Sequence, residues 1–222
     1  MRTSAVMLGL ALLACGGAVA RAPHDATSHR KFDDVEHWVK VFDDPARDEW
    51  QKPAAVVAAL GLAPGATVVD LGAGTGYFVP HLVRAVGPSG TVLAVETEPK
   101  LAAHLRERAE QAGWTNVVPV LASADNPRVP SGTADVVLIV DTYHHIDDRL
   151  SYLRRLQAAL TPTGRVAIVD WQKRPLPLGP ALDHKLARTH VEDEMQQAGY
   201  RLEAALTPLP YQYFLIFTPA VR

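Results

Sequence analysis

Val68-Val69-Asp70-Leu71-Gly72-Ala73-Gly74-Thr75-Gly76 is the stretch on which the reading of this chain turns. An apolar run ends in an acid, and glycines then occupy every second position. The run reads as a buried strand. The glycines read as a sharp turn into a helix, with the backbone left bare where a ligand must come close.

The pattern alternates downstream of that turn. Residues 67–70 form the first predicted strand, 77–86 a helix stopped by Gly87, and 91–95 a second strand. Residues 99–112 follow as a helix with Leu101 and Leu105 on one face, ended by Gly113. Strands are expected at 117–121, 134–140 and 164–169, with a helix at 149–160. The fourth strand is apolar on both faces, as a strand covered by helices on either side should be. Such alternation with short connections predicts a doubly wound α/β sheet. A Pro-rich stretch at 174–180 interrupts the order, and a helix at 190–198 and strands at 201–206 and 211–217 follow. Residues 207–210 are too few for a crossover helix, so the last two strands should pair antiparallel. Upstream, helical signals begin near Val35. Asp44 can cap a helix with Pro45 in its first position, and Pro53 restarts or kinks it before Gly61 and Gly65.

A dinucleotide fingerprint reads G-x-G-x-x-G after its strand. This loop reads G-x-G-x-G behind Asp70, and it resembles motif I of the class I S-adenosylmethionine-dependent methyltransferases. The resemblance covers roughly residues 53–218. It implies an α/β, doubly wound, Rossmann-like methyltransferase fold: a mostly parallel seven-stranded sheet with an antiparallel last strand. It also implies S-adenosyl-L-methionine as cofactor and in-line methyl transfer to a small-molecule substrate. Gly72, Ala73, Gly74 and Gly76 would let backbone pass beside the amino acid and ribose. Asp70 matches the motif I acid and would accept from the ammonium group or hold the loop. Glu96 ends the second strand, where a carboxylate can accept from both ribose hydroxyls, and Thr97 lies beside it. Glu96 alone also reads as an exposed strand-end acid. The family places an acid after the third strand against the adenine amino group, which here is Asp125, with Ala124 as its backbone partner. Asp125 alone also reads as an Asx-type loop residue.

The fourth strand runs into Asp141-Thr142-Tyr143-His144-His145 at the carboxyl edge of the sheet, where ligands bind in open α/β folds. Asp141, Tyr143, His144 or His145 is expected to take a proton from the substrate nucleophile. The alternative is that they pack beneath the adenosyl ligand, where Asp141 would be a cofactor contact. Asp141 and Asp170, at the ends of two sequential strands, are similar to the magnesium ligands of catechol-type O-methyltransferases. Trp171 stands where the third ligand is expected, so no metal is assigned. Trp38, Phe42 and Trp50 read either as a lid over the site or as plain core. Tyr211 and Tyr213 read either as acceptor-pocket walls or as packing. His81, His104, His184 and His190 are assigned no role.

The chain has 222 residues and a net charge of −2, which allows one domain and argues against nucleic acid as a partner. Residues 1–20 read as a signal peptide or lipoprotein signal: an apolar run, a lipobox-like Leu12-Leu13-Ala14-Cys15, and an A-x-A site at Ala18-Val19-Ala20. The expected location is the periplasm, free or anchored to the membrane through acylated Cys15, with the cytoplasm as the alternative. Cys15 is the only cysteine, so no disulfide framework or thiolate site is expected. Residues 21–36 read as a linker and 37–222 as the methyltransferase domain, with a helical lid at 37–62. The oligomeric state stays open. Three rivals remain at this point: a nicotinamide-dependent oxidoreductase, a relative that uses the same pocket for other chemistry such as aminopropyl transfer from a decarboxylated cofactor, and an exported non-catalytic binding protein that keeps the fold.

Overall fold

The computed structural model describes residues 32–220. The predicted signal, Cys15 and most of the predicted linker lie outside the described residues. Helices α1 (Val35–Phe42), α2 (Arg47–Gln51) and α3 (Pro53–Ala59) lead into β1 (Thr67–Leu71), α4 (Val79–Val86) and β2 (Thr91–Glu96). Then come α5 (Pro99–Gln111), β3 (Val117–Leu121), β4 (Ala134–Val140), a 3-10 turn at Tyr143–His145, and α6 (Arg149–Ala159). The chain ends with β5 (Leu160–Trp171), α7 (Arg188–Gln197), β6 (Tyr200–Leu206) and β7 (Gln212–Pro219).

The seven strands form one sheet in the order β3-β2-β1-β4-β5-β7-β6. Strands β1 to β5 run parallel, and β7 lies antiparallel between β5 and β6. The chain leaves β1 outward to β2 and β3, then crosses back to β4 on its other side. That reversal opens a crevice at the carboxyl ends of β1 and β4, and Asp70, Glu96, Asp141 and Asp170 all arrive along that edge.

Strand alternation divides the core. Val68, Val92, Val136 and Leu138 face α3, α4 and α5 through Val56, Leu82 and Leu105. Val69, Ile139, Val166 and Ile168 face α6 and α7 through Leu153, Leu156, Val191 and Met195. Each such side chain removed fully from water contributes about 1.5–3 kcal/mol, so the central strands anchor the edge on which the carboxylates sit.

The structure moves several predicted boundaries. Helix α1 begins at Val35, capped by the Asp34 carboxylate accepting from the His37 amide at 3.1 Å. It therefore takes in the end of the predicted linker. Asp44 closes a turn onto the Ala46 amide, and α2 starts one residue beyond it, at Arg47. Lys52 adopts a left-handed conformation (φ 46°) that separates α2 from α3, and Pro53 opens α3. Strand β5 starts four residues earlier than expected, because Leu160 pairs with Ala134 before a register shift aligns Val136 with Arg165.

Candidate active site

A cavity of about 890 Å³ opens at the carboxyl ends of β1, β2 and β4. The glycine loop forms its floor, α1 and α2 its roof, and residues 178–181 with Trp171 a side wall. The three glycines serve different purposes. All have positive φ (77°, 58° and 89°), which favours glycine. A Cβ on Gly72 would stand 2.3 Å from Thr142 Oγ1, and one on Gly76 would stand 2.8 Å from Leu105 Cδ2. Those two glycines let the protein approach itself, which corrects the expectation that all of them bare the loop for a ligand. Gly76 is not part of the cavity wall. A Cβ on Gly74 would meet only the ring of Phe42, at 3.6 Å, in the space between floor and roof.

Asp70 is 3% exposed and lines this cavity, and its Oδ2 has no hydrogen-bond partner among the described residues. Burial pushes its carboxyl up to about 7, the Arg47 guanidinium pulls it down, and Glu96 adds to the rise. Glu96 is also buried, but richly bonded. Its Oε2 accepts from the Gly74 amide at 2.8 Å; its Oε1 accepts from the Thr97 and Glu98 amides at 2.7 and 2.9 Å and, at 3.4 Å, from Thr97 Oγ1. A carboxylate offers about four lone-pair positions, so Oε2 retains capacity for a ribose hydroxyl. Thr97 and Ala124 line the same end. Asp125 does not. It is exposed, accepts from Ser123 Oγ at 2.7 Å, and faces Arg155 across 3.6 Å. A tight Ser123–Asn126 turn aims it outward, and the Ser123 hydroxyl holds its carboxyl below the usual range. The expected adenine contact is therefore corrected: Asp125 is an Asx-type turn residue in this structure.

The proton-transfer candidates separate cleanly. His144 is 4% exposed, lines the cavity, and places Nδ1 2.8 and 3.0 Å from the two oxygens of Asp170. The Asp170 carboxylate also accepts from the His144 and Trp171 amides. Burial alone would disfavour the charged ring, but the Asp170 carboxylate outweighs it and raises the His144 pKa. His145 is exposed at the mouth, its ring 4.2 Å from that of His144. Tyr143 is corrected: it is fully buried on the other side, donating to Glu194 at 3.0 Å beneath the Arg149 guanidinium. Tyr211 and Tyr213 also lie off the cavity, whereas His184, given no role by sequence, lines it. Asp141 sits at φ 51°, a strained conformation for a residue with a side chain. Its carboxylate accepts from Gln212 Nε2 at 2.5 Å and faces Arg47 at 3.4 Å. Burial pushes it up to about 7, against Arg47 and with Asp170. Asp141 and Asp170 thus meet cationic and amide partners instead of converging. Among the described residues, no group of three or more His, Cys, Asp or Glu could hold a metal ion.

The roof contains what sequence reasoning missed. Trp38 stacks on Phe42 at 4.9 Å, and Phe32 packs 4.8 Å from Trp38, so these aromatics are core and cavity wall at once. Asp43 ties α1 down, accepting from Thr75 Oγ1 and from Arg108, each at 2.7 Å. Arg47 reaches into the cavity over the Tyr77 ring, 4.2 Å from its centroid. Trp50 leans on Trp171 at 5.1 Å. The available signal was Arg47-Asp48-Glu49-Trp50, a cation and an aromatic three apart on one helix face.

This arrangement fits S-adenosylmethionine. An unpartnered buried carboxylate suits its ammonium group, Glu96 its ribose, and the open space above Gly74 its bulk. A family model described as a methyltransferase domain matches residues 45–210. The ubiquinone/menaquinone biosynthesis C-methyltransferase UbiE of Pasteurella multocida is 32% identical over 114 residues, which is 51% of this chain and 42% of that protein. A protein-L-isoaspartate O-methyltransferase of Ignicoccus hospitalis is 26% identical over 122 residues, covering 55% of this chain and 54% of that one. The chain spans about half the length of the curated relatives it matches. A solved SAM-dependent methyltransferase from Aquifex aeolicus superposes with a TM-score of 0.78 at 27% identity, covering 83% of this chain and 97% of that one. The O-methyltransferase NcsB1, from neocarzinostatin biosynthesis and solved with S-adenosyl-L-homocysteine and 1,4-dihydroxy-2-naphthoic acid, shares the fold at a TM-score of 0.66 and 20% identity, covering 84% of this chain and 59% of that one.

Proposed function

The chain belongs to the methyltransferase-domain family, which makes S-adenosylmethionine its cofactor, and on that premise we propose that it methylates a small-molecule acceptor with His144 as the base. The observation that carries the reading is the buried His144–Asp170 pair in the cavity wall. With Nδ1–H donated to Asp170, the other ring nitrogen keeps its lone pair for an acceptor proton.

When bound, the cofactor supplies an electrophilic methyl group, so alignment of the acceptor is most of what the site must achieve. Asp70 would take its ammonium group, and Glu96 a ribose hydroxyl. Trp171 and residues 178–181 would close the acceptor end against water. That enclosure, beneath a roof pinned by Asp43, supports a small acceptor over a macromolecular one. Export, with or without an acylated Cys15, is part of this proposal. Among the described residues no helix is long and apolar enough to cross a membrane. Fractionation of cells expressing the full chain, with Cys15→Ser as control, tests export and anchoring.

The central test is transfer of labelled methyl from S-adenosylmethionine into small molecules of a deproteinised extract. Wild-type protein should label a product and His144→Gln should not, while both bind S-adenosylhomocysteine in calorimetry. Equal labelling by the variant would reject His144 as the base. No labelling by either, with tight cofactor binding, would favour the non-catalytic binding protein.

A further inference from the structure

Two carboxylates stand at the ends of adjacent strands, and an arginine from the roof pairs with the second in the cavity that the first also lines. Asp70 is the penultimate residue of β1, and Asp141 follows β4. Arg47 Nη2 lies 3.4 Å from Asp141 Oδ2 and 3.2 Å from Gln51 Oε1, and Nη1 donates to the Phe42 carbonyl at 3.0 Å. Gln51 donates to Gln212 at 2.9 Å, and Gln212 donates to Asp141 Oδ1. Gln51 and Gln212 are fully buried, and the Arg47 side chain is 13% exposed. Its planar fork is committed to a fixed set of acceptors, as buried arginine pairs require.

We propose that Arg47 is a positioning residue for methyl transfer: the lid brings the cation that holds Asp141 in place and balances Asp70 for the cofactor's ammonium group. This rests on the methyltransferase reading. The groups facing Asp70 are Arg47 from α2 and Glu96 from β2. Those facing Asp141 are Arg47, Gln212 from β7, Asp170 from β5 and His144 from the 3-10 turn. Of these, Arg47 and His144 are the cations, and His144 is paired with Asp170. The balance therefore exists while α2 is seated, so lid closure and assembly of the site are one event.

The sign of the consequence follows from the charges. An ammonium ligand pairs with ionised Asp70, and Asp70 binds a proton more readily without Arg47. Arg47→Gln should therefore weaken S-adenosylhomocysteine binding most at low pH and least at high pH. Calorimetry between pH 6 and 8.5 on wild type, Arg47→Gln and Arg47→Lys reads this, with hydrogen exchange of residues 35–51 in the unliganded proteins alongside. The expected result for Arg47→Gln is a loss of about tenfold at pH 6, the effect of about one unit in the governing pKa, narrowing to about fivefold at pH 7 and further as pH rises. Arg47→Lys keeps the charge and loses the fork, so its pH profile should follow wild type while the lid amides exchange faster. A loss equal at every pH in Arg47→Gln, a pH-dependent loss in Arg47→Lys, or unchanged exchange in both overturns the proposal. Wild-type protein that binds no S-adenosylhomocysteine at any of these pH values overturns the cofactor reading itself.

Discussion

Asp170 grips the His144 ring with both carboxylate oxygens and two backbone amides hold the acid in turn, so the ring proposed as the base is oriented before any substrate arrives. Loss of a positioned base typically costs about 10²–10⁴-fold in rate. That is the expected effect of His144→Gln on turnover, with the S-adenosylhomocysteine dissociation constant little changed. The raised His144 pKa places the rise of the wild-type rate at higher pH than an ordinary imidazole would. Asp170→Asn should move that rise downward, and a pH–rate profile on both proteins checks it. A second single-residue test concerns Glu96. Its removal strands the Gly74, Thr97 and Glu98 amides and takes away the acceptor proposed for the ribose. Glu96→Ala should weaken cofactor binding by about 1.5–3 kcal/mol, the scale of hydrogen bonds to charged groups, as read by calorimetry. At this scale the sequence told a good deal. Asp70 and Glu96 are among the last residues of β1 and β2, where the strand fixes which way a side chain points, and His144 lies in the short turn just beyond β4. Asp125 misled because it lies in a loop, where a neighbouring Ser123 hydroxyl decided its direction locally.

Secondary elements explain the rest of that contrast. The glycine turn was legible from spacing alone, but not the reasons for each glycine, which depend on Thr142 and Leu105 brought from elsewhere. These reasons predict different outcomes. Gly72→Ala drives a methyl into Thr142 and keeps a left-handed backbone, and should cost about 2–4 kcal/mol of stability. Gly74→Ala meets Phe42 at ordinary contact distance and carries only the backbone strain, about 1–2 kcal/mol, while Gly74→Val fills the gap beneath the roof and abolishes cofactor binding in a protein that still folds. Urea unfolding and calorimetry on the three variants distinguish them; equal stability of the two alanine variants would contradict the assigned packing. The wall at residues 178–181 had no periodic signal, since a Pro–Gly–Leu segment adopts its path by leaning on Trp171. A Cβ on Gly179 would come within 2.7 Å of that ring.

For the molecule as a whole, the doubly wound parallel sheet with its antiparallel end was readable because parallel connections with short loops admit few topologies. A helical lid was expected, but not what holds it down, because its ties join positions far apart in the chain: Arg47 with Asp141, and Gln51 with Gln212. Those ties hold α2 over acids whose burial is unfavourable to their ionised form, and this gives the unliganded protein a distinctive response to pH. Asp70 and Asp141 titrate at about 7 in the fold and near 3.8 unfolded. A carboxyl whose folded pKa is raised contributes stability fully present below the unfolded value, lost as pH climbs through the folded one. At about 1.4 kcal/mol per unit, each group can withdraw a few kcal/mol between pH 4 and 7, with Asp70 the stronger, since Asp141 keeps 18% side-chain exposure. The His144–Asp170 pair acts in the same direction above the ordinary imidazole range, because the raised His144 loses its proton there. Unliganded protein should therefore melt at progressively lower temperature from pH 5 to pH 8. S-adenosylhomocysteine should recover more of the loss at pH 8 than at pH 5, since its ammonium group pairs with the ionised acid. In Asp70→Asn the decline should be shallower and the ligand's effect should shrink. Thermal scans of the two proteins across that range, with and without ligand, decide it, and a melting temperature that rises with pH in the unliganded wild type would show that Asp70 finds a counter-charge the fold does not hold.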